Sequence, residues 1–190
     1  MLNQNKFIDK ILSITSISNQ SKIDLSDKLK KLVLPKGHIL VKPYSVCNHT
    51  YYVEQGLTRT FYYKDGKDVT DWFSLEDTFA TSIVSFISGK PDRRGIELLE
   101  PSVLYSLSHD DLEDLCNKHH DVERLARLLI SSGLVEMQKR FDDLHFATAL
   151  QRYKTLLEDK PALINRAPLG MIASYLGITQ ETLSRMRLKI

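Results

Sequence analysis

The sequence predicts an α+β chain in three parts: an N-terminal β jelly roll with flanking helices, a long amphipathic helix, and a C-terminal helix-turn-helix. Three observations carry this. Between Val33 and Leu107, segments rich in Val, Ile, Tyr, Phe and Thr alternate with glycine turns, the pattern of short antiparallel strands in a barrel or jelly roll. After Leu107 the apolar period becomes helical and stays so. Last, Pro168–Arg187 reads as two short helices around a glycine corner. The expected division is 1–120, 121–143 and 144–190.

With 190 residues, 42% of them hydrophobic, the chain can bury one full domain and a small second one without staples. No run of 18 apolar residues is present, and Met1–Ser13 lacks the apolar core and cleavage site of a secretory leader. A cytoplasmic chain with no membrane partner is expected, in which Cys47 and Cys116, far apart and without metal-type spacing, are reduced structural thiols.

Taken in order, Phe7, Ile8, Ile11 and Leu12, then Leu25, Leu29 and Leu32, recur at helical spacing and predict short helices over 4–32. The strands follow, punctuated by Pro35-Lys36-Gly37, Gln55-Gly56, Lys64-Asp65-Gly66 and Gly89-Lys90-Pro91. Asp65-Gly66 between Thr58–Tyr63 and Asp68–Phe73 marks a hairpin. Phe79–Ile87 is more helix-like and interrupts the strands, and Ser102–Leu107 is the last strand. Ser108 followed by Asp111 is a capping signature for a helix through Cys116. Asp121 can cap a longer helix to about Asp142, with a stripe of Val122, Leu125, Leu128 or Leu129, Ser132, Val135 and Met137, broken only by Gly133. That stripe can pack on its own barrel or form a two-fold seam between subunits. The two-fold seam is the expectation, with Val122, Leu125, Leu128, Leu129, Ser132 and Val135 as the homodimer interface and Phe141–Phe146 as the hinge. A further helix, Thr148–Asp159, presents Leu150, Tyr153, Leu156 and Leu157 to a core.

In the C-terminal motif Pro168 suits a first helical position. Ile172 and Leu176 face inward, Ala173 permits close crossing, and Gly177 supplies a left-handed corner. Ile178 fills that corner, Thr179 caps the second helix, and Leu183 and Met186 pack it onto the first. The opposite face carries Gln180, Glu181, Ser184, Arg185 and Lys189, which with Thr179 are the candidate DNA-contacting residues; a plain helical hairpin with a solvated face is the alternative. Charge agrees: residues 144–190 hold 7 Lys+Arg against 3 Asp+Glu, whereas the rest holds 19 against 21, and a basic end on a mildly acidic body points to a phosphate-facing end.

Leu169–Arg187 resembles the helix-turn-helix of the Crp/Fnr regulators, especially short variants of Bacteroidetes type. Arg152-Tyr153, Leu156-Leu157, Pro161, Ile164-Asn165-Arg166 and Pro168 resemble the same subgroup. Tyr51–Arg59, Gly66–Thr70 and Ile96–Glu100 are similar to the family's barrel hairpins. The resemblance, from about Leu25 to Ile190, implies a cyclic-nucleotide-binding-type jelly roll, a dimerisation helix and a winged-helix-like DNA domain. It further implies a second motif helix in the major groove of an inverted-repeat operator, with Gln180, Glu181 and Arg185 reading bases. Activation would also require a surface contacting RNA polymerase, which no segment announces.

The effector site departs from that pattern. Phe79 is followed by Ala80-Thr81 where cyclic-nucleotide binders carry Gly-Glu for the ribose, and Arg93-Arg94-Gly95 lacks the Arg-Ser or Arg-Thr phosphate pair. An effector of unknown identity, not cyclic AMP or GMP, is expected, with Thr81, Ser82, Arg93 and Arg94 as its candidate contacts, although solvated hairpin charges are the favoured reading of Arg93 and Arg94. Two cysteines cannot hold an iron–sulfur centre. No cofactor, metal or catalytic residue is expected, and the chain is not expected to be an enzyme. The rival classes are a cupin-like metalloenzyme, which would need a His-x-His pair that the barrel lacks, and a ligandless adaptor using the same jelly roll.

Overall fold

The computed structural model describes residues 6–188. Two helices open the chain: α1 (Lys6–Ile14) and α2 (Asn19–Lys28), the latter capped by Ser18, whose side chain accepts from the Ser21 N–H. Eight strands and one short helix follow: β1 (Lys30–Leu34), β2 (Ile39–Val41), β3 (His49–Gln55), β4 (Thr58–Lys64), β5 (Lys67–Ser74), β6 (Phe79–Ala80), α3 (Ile83–Ser88), β7 (Gly95–Leu98) and β8 (Ser102–Ser108). They pair antiparallel in two four-stranded sheets, β1-β8-β3-β6 and β2-β7-β4-β5. The Asp65-Gly66 corner joins β4 to β5 with both residues at positive φ, 51° and 70°, the geometry that the right-handed twist of a two-residue hairpin requires. Two expectations are corrected here. Leu32 lies in β1, not in a helix, and Phe79–Ile87 splits into β6 and α3.

Because successive strand residues face opposite sides, β3 serves two cores at once. Tyr51 and Val53 point between the sheets, with Val41, Ile96, Leu98 and Leu104. Tyr52 points outward and meets Phe7 edge-on at 5.4 Å, in a second core with Ile11, Leu25 and Leu115. A third core joins Leu57, Phe73 and Leu99 of the barrel to Tyr153, Leu156, Leu163, Ala167, Ile172, Ala173, Leu176 and Leu183. The barrel and the C-terminal helices therefore share apolar packing rather than meeting across a linker.

Ser108 caps α4 (His109–Lys118), as its spacing to Asp111 predicts. The next helix, α5, runs over His120–Phe146, and its N-cap is His119 rather than Asp121. Asp121 is instead a tether: its carboxylate accepts from the Ser18 N–H at 2.6 Å and the Ser21 hydroxyl at 2.7 Å, binding the start of α2 to the start of α5. The helix also continues through the expected hinge at Phe141–Phe146 and breaks at Ala147, where the backbone turns extended. The next helix dictates that break, since the Thr148–Gln151 capping box starting α6 (Ala149–Asp159) needs an extended Thr148. Leu150, expected in the core, is exposed; Tyr153 and Leu156 are buried.

The apolar stripe of α5 divides. Val122 and Leu125, 1% and 4% exposed, are buried in the chain's own second core, so these two are corrected from dimer contacts to internal packing. Leu128 and Leu129 are half-buried, while Ser132 and Val135 are exposed. Farther along, Ile130, Leu134, Met137, Phe141 and Leu144 recur at steps of four and three. Their exposures run from 40% at Leu144 to 65% at Leu134. No helix among the described residues is long and apolar enough to cross a membrane.

Candidate nucleic-acid interface

The C-terminal helices are built around small apolar contacts. After α6 and the single turn α7 (Leu163–Arg166), α8 (Leu169–Tyr175) starts at Pro168, which has extended ψ and so stands at the N-cap rather than the first helical position. Past its end Gly177 takes φ 68°. Its N–H donates to the Ser174 carbonyl and the Ile178 N–H to the Ala173 carbonyl, both at 3.0 Å, the paired bonds by which a left-handed residue closes a helix. The chain then turns at once into α9 (Gln180–Arg187), capped by Thr179, whose hydroxyl accepts from the Thr182 N–H at 3.1 Å. Leu183 is fully buried against Ile172, Ala173 and Leu176, with Met186 partly buried beside it.

The other face of α9 is open. Gln180, Glu181, Ser184 and Arg185 are all exposed and project from one surface; Thr179, spent on the cap, is the helix's anchor rather than a free reading group. Arg185 and Glu181, one turn apart, lie 3.8 Å from each other as a solvated pair, a contact worth little in water and so readily exchanged for a base. Gln180 leans back over α8, where a Cβ on Gly170 would come within 2.9 Å of its side-chain oxygen; the glycine leaves this amide room. Lys189 lies outside the described residues.

Part of the basic end is committed internally. Arg152 donates to the carbonyls of Leu176 and Ala147, bracing the end of α8. The Lys160 ammonium sits 4.8 Å over the Trp72 ring, and burial holds its pKa below the usual range. Arg166 is paired with Glu76 and Glu100. On α8, the Ser174 hydroxyl accepts from the Thr70 N–H at 2.9 Å and the Tyr175 ring lies 5.3 Å from Phe73, while the guanidinium of Arg140 in α5 lies over that tyrosine ring at 3.8 Å. The barrel thus holds α8 and leaves α9 free. Arg140, Lys160 and Ser174 carry no signal in the sequence, and the Ile164-Asn165-Arg166 run gives no sign of its acidic partners Glu76 and Glu100.

Of the four candidate effector contacts, two come together. The Ser82 hydroxyl donates to Asp92 at 2.8 Å, and Arg94 donates to the same carboxylate at 3.1 Å and to Asp71 at 2.6 Å. Burial opposes the charge at both ends, yet the donors from Ser82 and Arg94 hold the Asp92 carboxyl below its ordinary pKa, and Asp71 and then Asp92 keep Arg94 above its own. Thr81 turns away to the His49 carbonyl, and Arg93 lies over the Tyr62 ring at 4.6 Å. Asp92, which has no counterpart among the sequence candidates, therefore takes up donors of both Ser82 and Arg94. No group of three or more His, Cys, Asp or Glu converges in metal-binding geometry among the described residues.

Residues 31–119 match the family model of the cyclic nucleotide-binding domain. Among solved structures, the chain is similar to FixK2 from Bradyrhizobium japonicum (TM-score 0.71, 20% identity, covering 85% of this chain and 83% of that one). It is also similar to a proposed Crp/Fnr-family transcriptional regulator from Eubacterium rectale (0.70, 17%, 91% and 83%). A third likeness is to the catabolite activator protein of Thermus thermophilus (0.58, 18%, 95% and 85%). No curated protein sequence matches significantly. At these identities the likeness establishes a shared fold.

Proposed function

We infer that this chain, which carries a cyclic nucleotide-binding-type domain within a Crp/Fnr fold, is a cytoplasmic transcription regulator. It acts as a homodimer that reads an inverted-repeat operator, and its sensory barrel is degenerate. The observation that carries the reading is α9: a capped helix whose apolar side packs inward through buried Leu183 and partly buried Met186, and whose polar side, Gln180, Glu181, Ser184 and Arg185, is open to solvent. Such a helix suits the major groove, where Arg pairs with guanine O6 and N7 and Glu accepts from cytosine N4. The 130–144 stripe of α5, at heptad spacing and uncovered within the chain, supports a seam between two copies. Selection from a random DNA pool, with no ligand added, is expected to return inverted repeats whose half-sites lie about 10 bp apart centre to centre. Recovery of no enriched sequence would refute DNA reading, and single asymmetric half-sites would refute the dimer.

The degenerate barrel has its own support in the bonds of Asp92. A cyclic phosphate would have to displace a carboxylate already bonded to Ser82 and Arg94, and Thr81 offers no acidic group for ribose hydroxyls. Neither cyclic AMP nor cyclic GMP is expected to bind at micromolar concentration. Titration calorimetry checks this, and a saturable isotherm with either nucleotide would reverse the reading.

A further inference from the structure

Arg166 ends α7, and its guanidinium reaches out of the C-terminal helices into one end of the barrel. Nη1 and Nη2 donate to the two oxygens of Glu76 at 2.8 and 2.6 Å; Nε and Nη2 donate to those of Glu100 at 3.2 and 2.6 Å. Glu76 lies between β5 and β6, and Glu100 between β7 and β8. Glu76 also accepts from the Gly56 N–H, in the β3–β4 turn, at 2.9 Å. Gly56 must be glycine, since φ is 115° and a Cβ would collide with Ser102. One side chain therefore gathers three barrel turns. The Arg166 bonds hold the Glu76 carboxyl down to about 2, so the pair keeps its charge well into the acid range.

The shared apolar core beneath, with Leu57 and Leu99 facing Leu163 and Ala167, gives attraction without direction. A planar guanidinium forked between two carboxylates fixes an angle. The hydrogen bonds of Arg166 go to Glu76 and Glu100, whereas the packing of α9 rests on Ile172, Ala173, Leu176 and Leu183.

We propose that Arg166 is a positioning residue: it sets the angle at which the barrel carries the reading helix, and hence the spacing of the two reading helices in a dimer. The proposal rests on the DNA-reading dimer inferred above. Without the clamp each α9 stays folded and its domain keeps the shared core and the Thr70–Ser174 bond, but the end of the domain that Arg166 held can shift about the extended break at Ala147, and a two-site grip loses its pre-set geometry while a one-site grip does not.

The test uses full-length Arg166→Ala and Arg166→Lys on two duplexes, the selected operator and the same duplex with one half-site scrambled. Arg166→Ala is expected to lower operator affinity by about tenfold or more, because the second contact is no longer presented at high effective concentration, and to leave half-site affinity within about twofold. Arg166→Lys, a point charge without the fork, should recover only part of the loss. Hydrogen exchange without DNA supplies a second readout: α8 amides should exchange faster in Arg166→Ala. Equal losses on both duplexes, unchanged operator affinity, or unchanged α8 exchange would each overturn the proposal. If the wild-type protein binds neither duplex, the regulator reading fails and the spacing role with it, and the exchange result still decides whether Arg166 clamps the two parts.

Discussion

Leu134→Glu and Phe141→Glu are each expected to convert a dimer into monomers and to lower operator affinity by about a hundredfold or more, since the two half-sites then bind independently. Both residues stand on the exposed stripe of α5, 65% and 53% accessible, so a carboxylate there costs the isolated chain almost nothing. In a two-fold seam it would face its own copy or an apolar partner, and buried unpaired charge is expensive. The stripe from Ile130 to Leu144 spans roughly 21 Å at 1.5 Å per residue, about two heptads, so one charge removes a large share of it. Leu125→Glu is the contrasting control. Leu125 is buried against the chain's own barrel, and its replacement should lower the melting temperature instead of changing the oligomer. Light scattering after gel filtration reads mass, and a gel-shift titration reads affinity. A Leu134→Glu protein that remains dimeric would remove α5 as the seam.

The same helix shows what a period can and cannot tell. Apolar residues at helical spacing along 122–135 correctly announce a long amphipathic helix. They do not say which partner each face meets. Val122 and Leu125 lie where α5 still crosses α1 and the barrel, so the body claims them; beyond Leu129 it has fallen away and a different face carries the apolar residues. Reading one continuous stripe merged two faces. The end of α5 is nonetheless local in the sequence: Thr148-x-x-Gln151 is a capping box, and it places the break just before Thr148 rather than at Phe141–Phe146.

The helix-turn-helix was legible because each of its parts is a local requirement. Gly177 must be left-handed, Thr179 must cap, and Leu183 must reach Ile172 across a short corner, so the sequence carries the geometry within twenty residues. The clamp was not, since its partners lie far off in sequence: Arg166 meets Glu76 and Glu100; in the effector region Arg94 meets distant Asp71 as well as neighbouring Asp92, and no local pattern marks the pairing. The count of basic residues misled for the same reason. Of the seven in 144–190, Arg152, Lys160 and Arg166 are turned inward onto carbonyls, a ring and carboxylates, and they are not available to phosphates.

What remains exposed on α9 separates base reading from phosphate anchoring. A bidentate arginine–guanine pair discriminates by about 1–3 kcal/mol, and every 1.4 kcal/mol is about tenfold. Arg185→Ala is therefore expected to weaken the best operator by about tenfold or more and to change binding to scrambled DNA much less. The Glu181 contact at 3.8 Å does not oppose this, because a solvated pair of neighbours is worth well under 1 kcal/mol. Glu181→Ala should relax choice at a single base pair while leaving affinity for scrambled DNA equal or slightly higher, since a negative charge near phosphates is lost. Lys189 follows Arg185 by one turn's worth of sequence, where a reading helix leaves the groove and passes the backbone. Lys189→Ala should weaken all sequences alike and reduce the slope of log affinity against log salt by about one, for one fewer released counterion. The measurement is binding of the three variants to operator and scrambled duplexes across a salt series. Should Arg185→Ala and Lys189→Ala behave alike on both duplexes, α9 is not the reading helix.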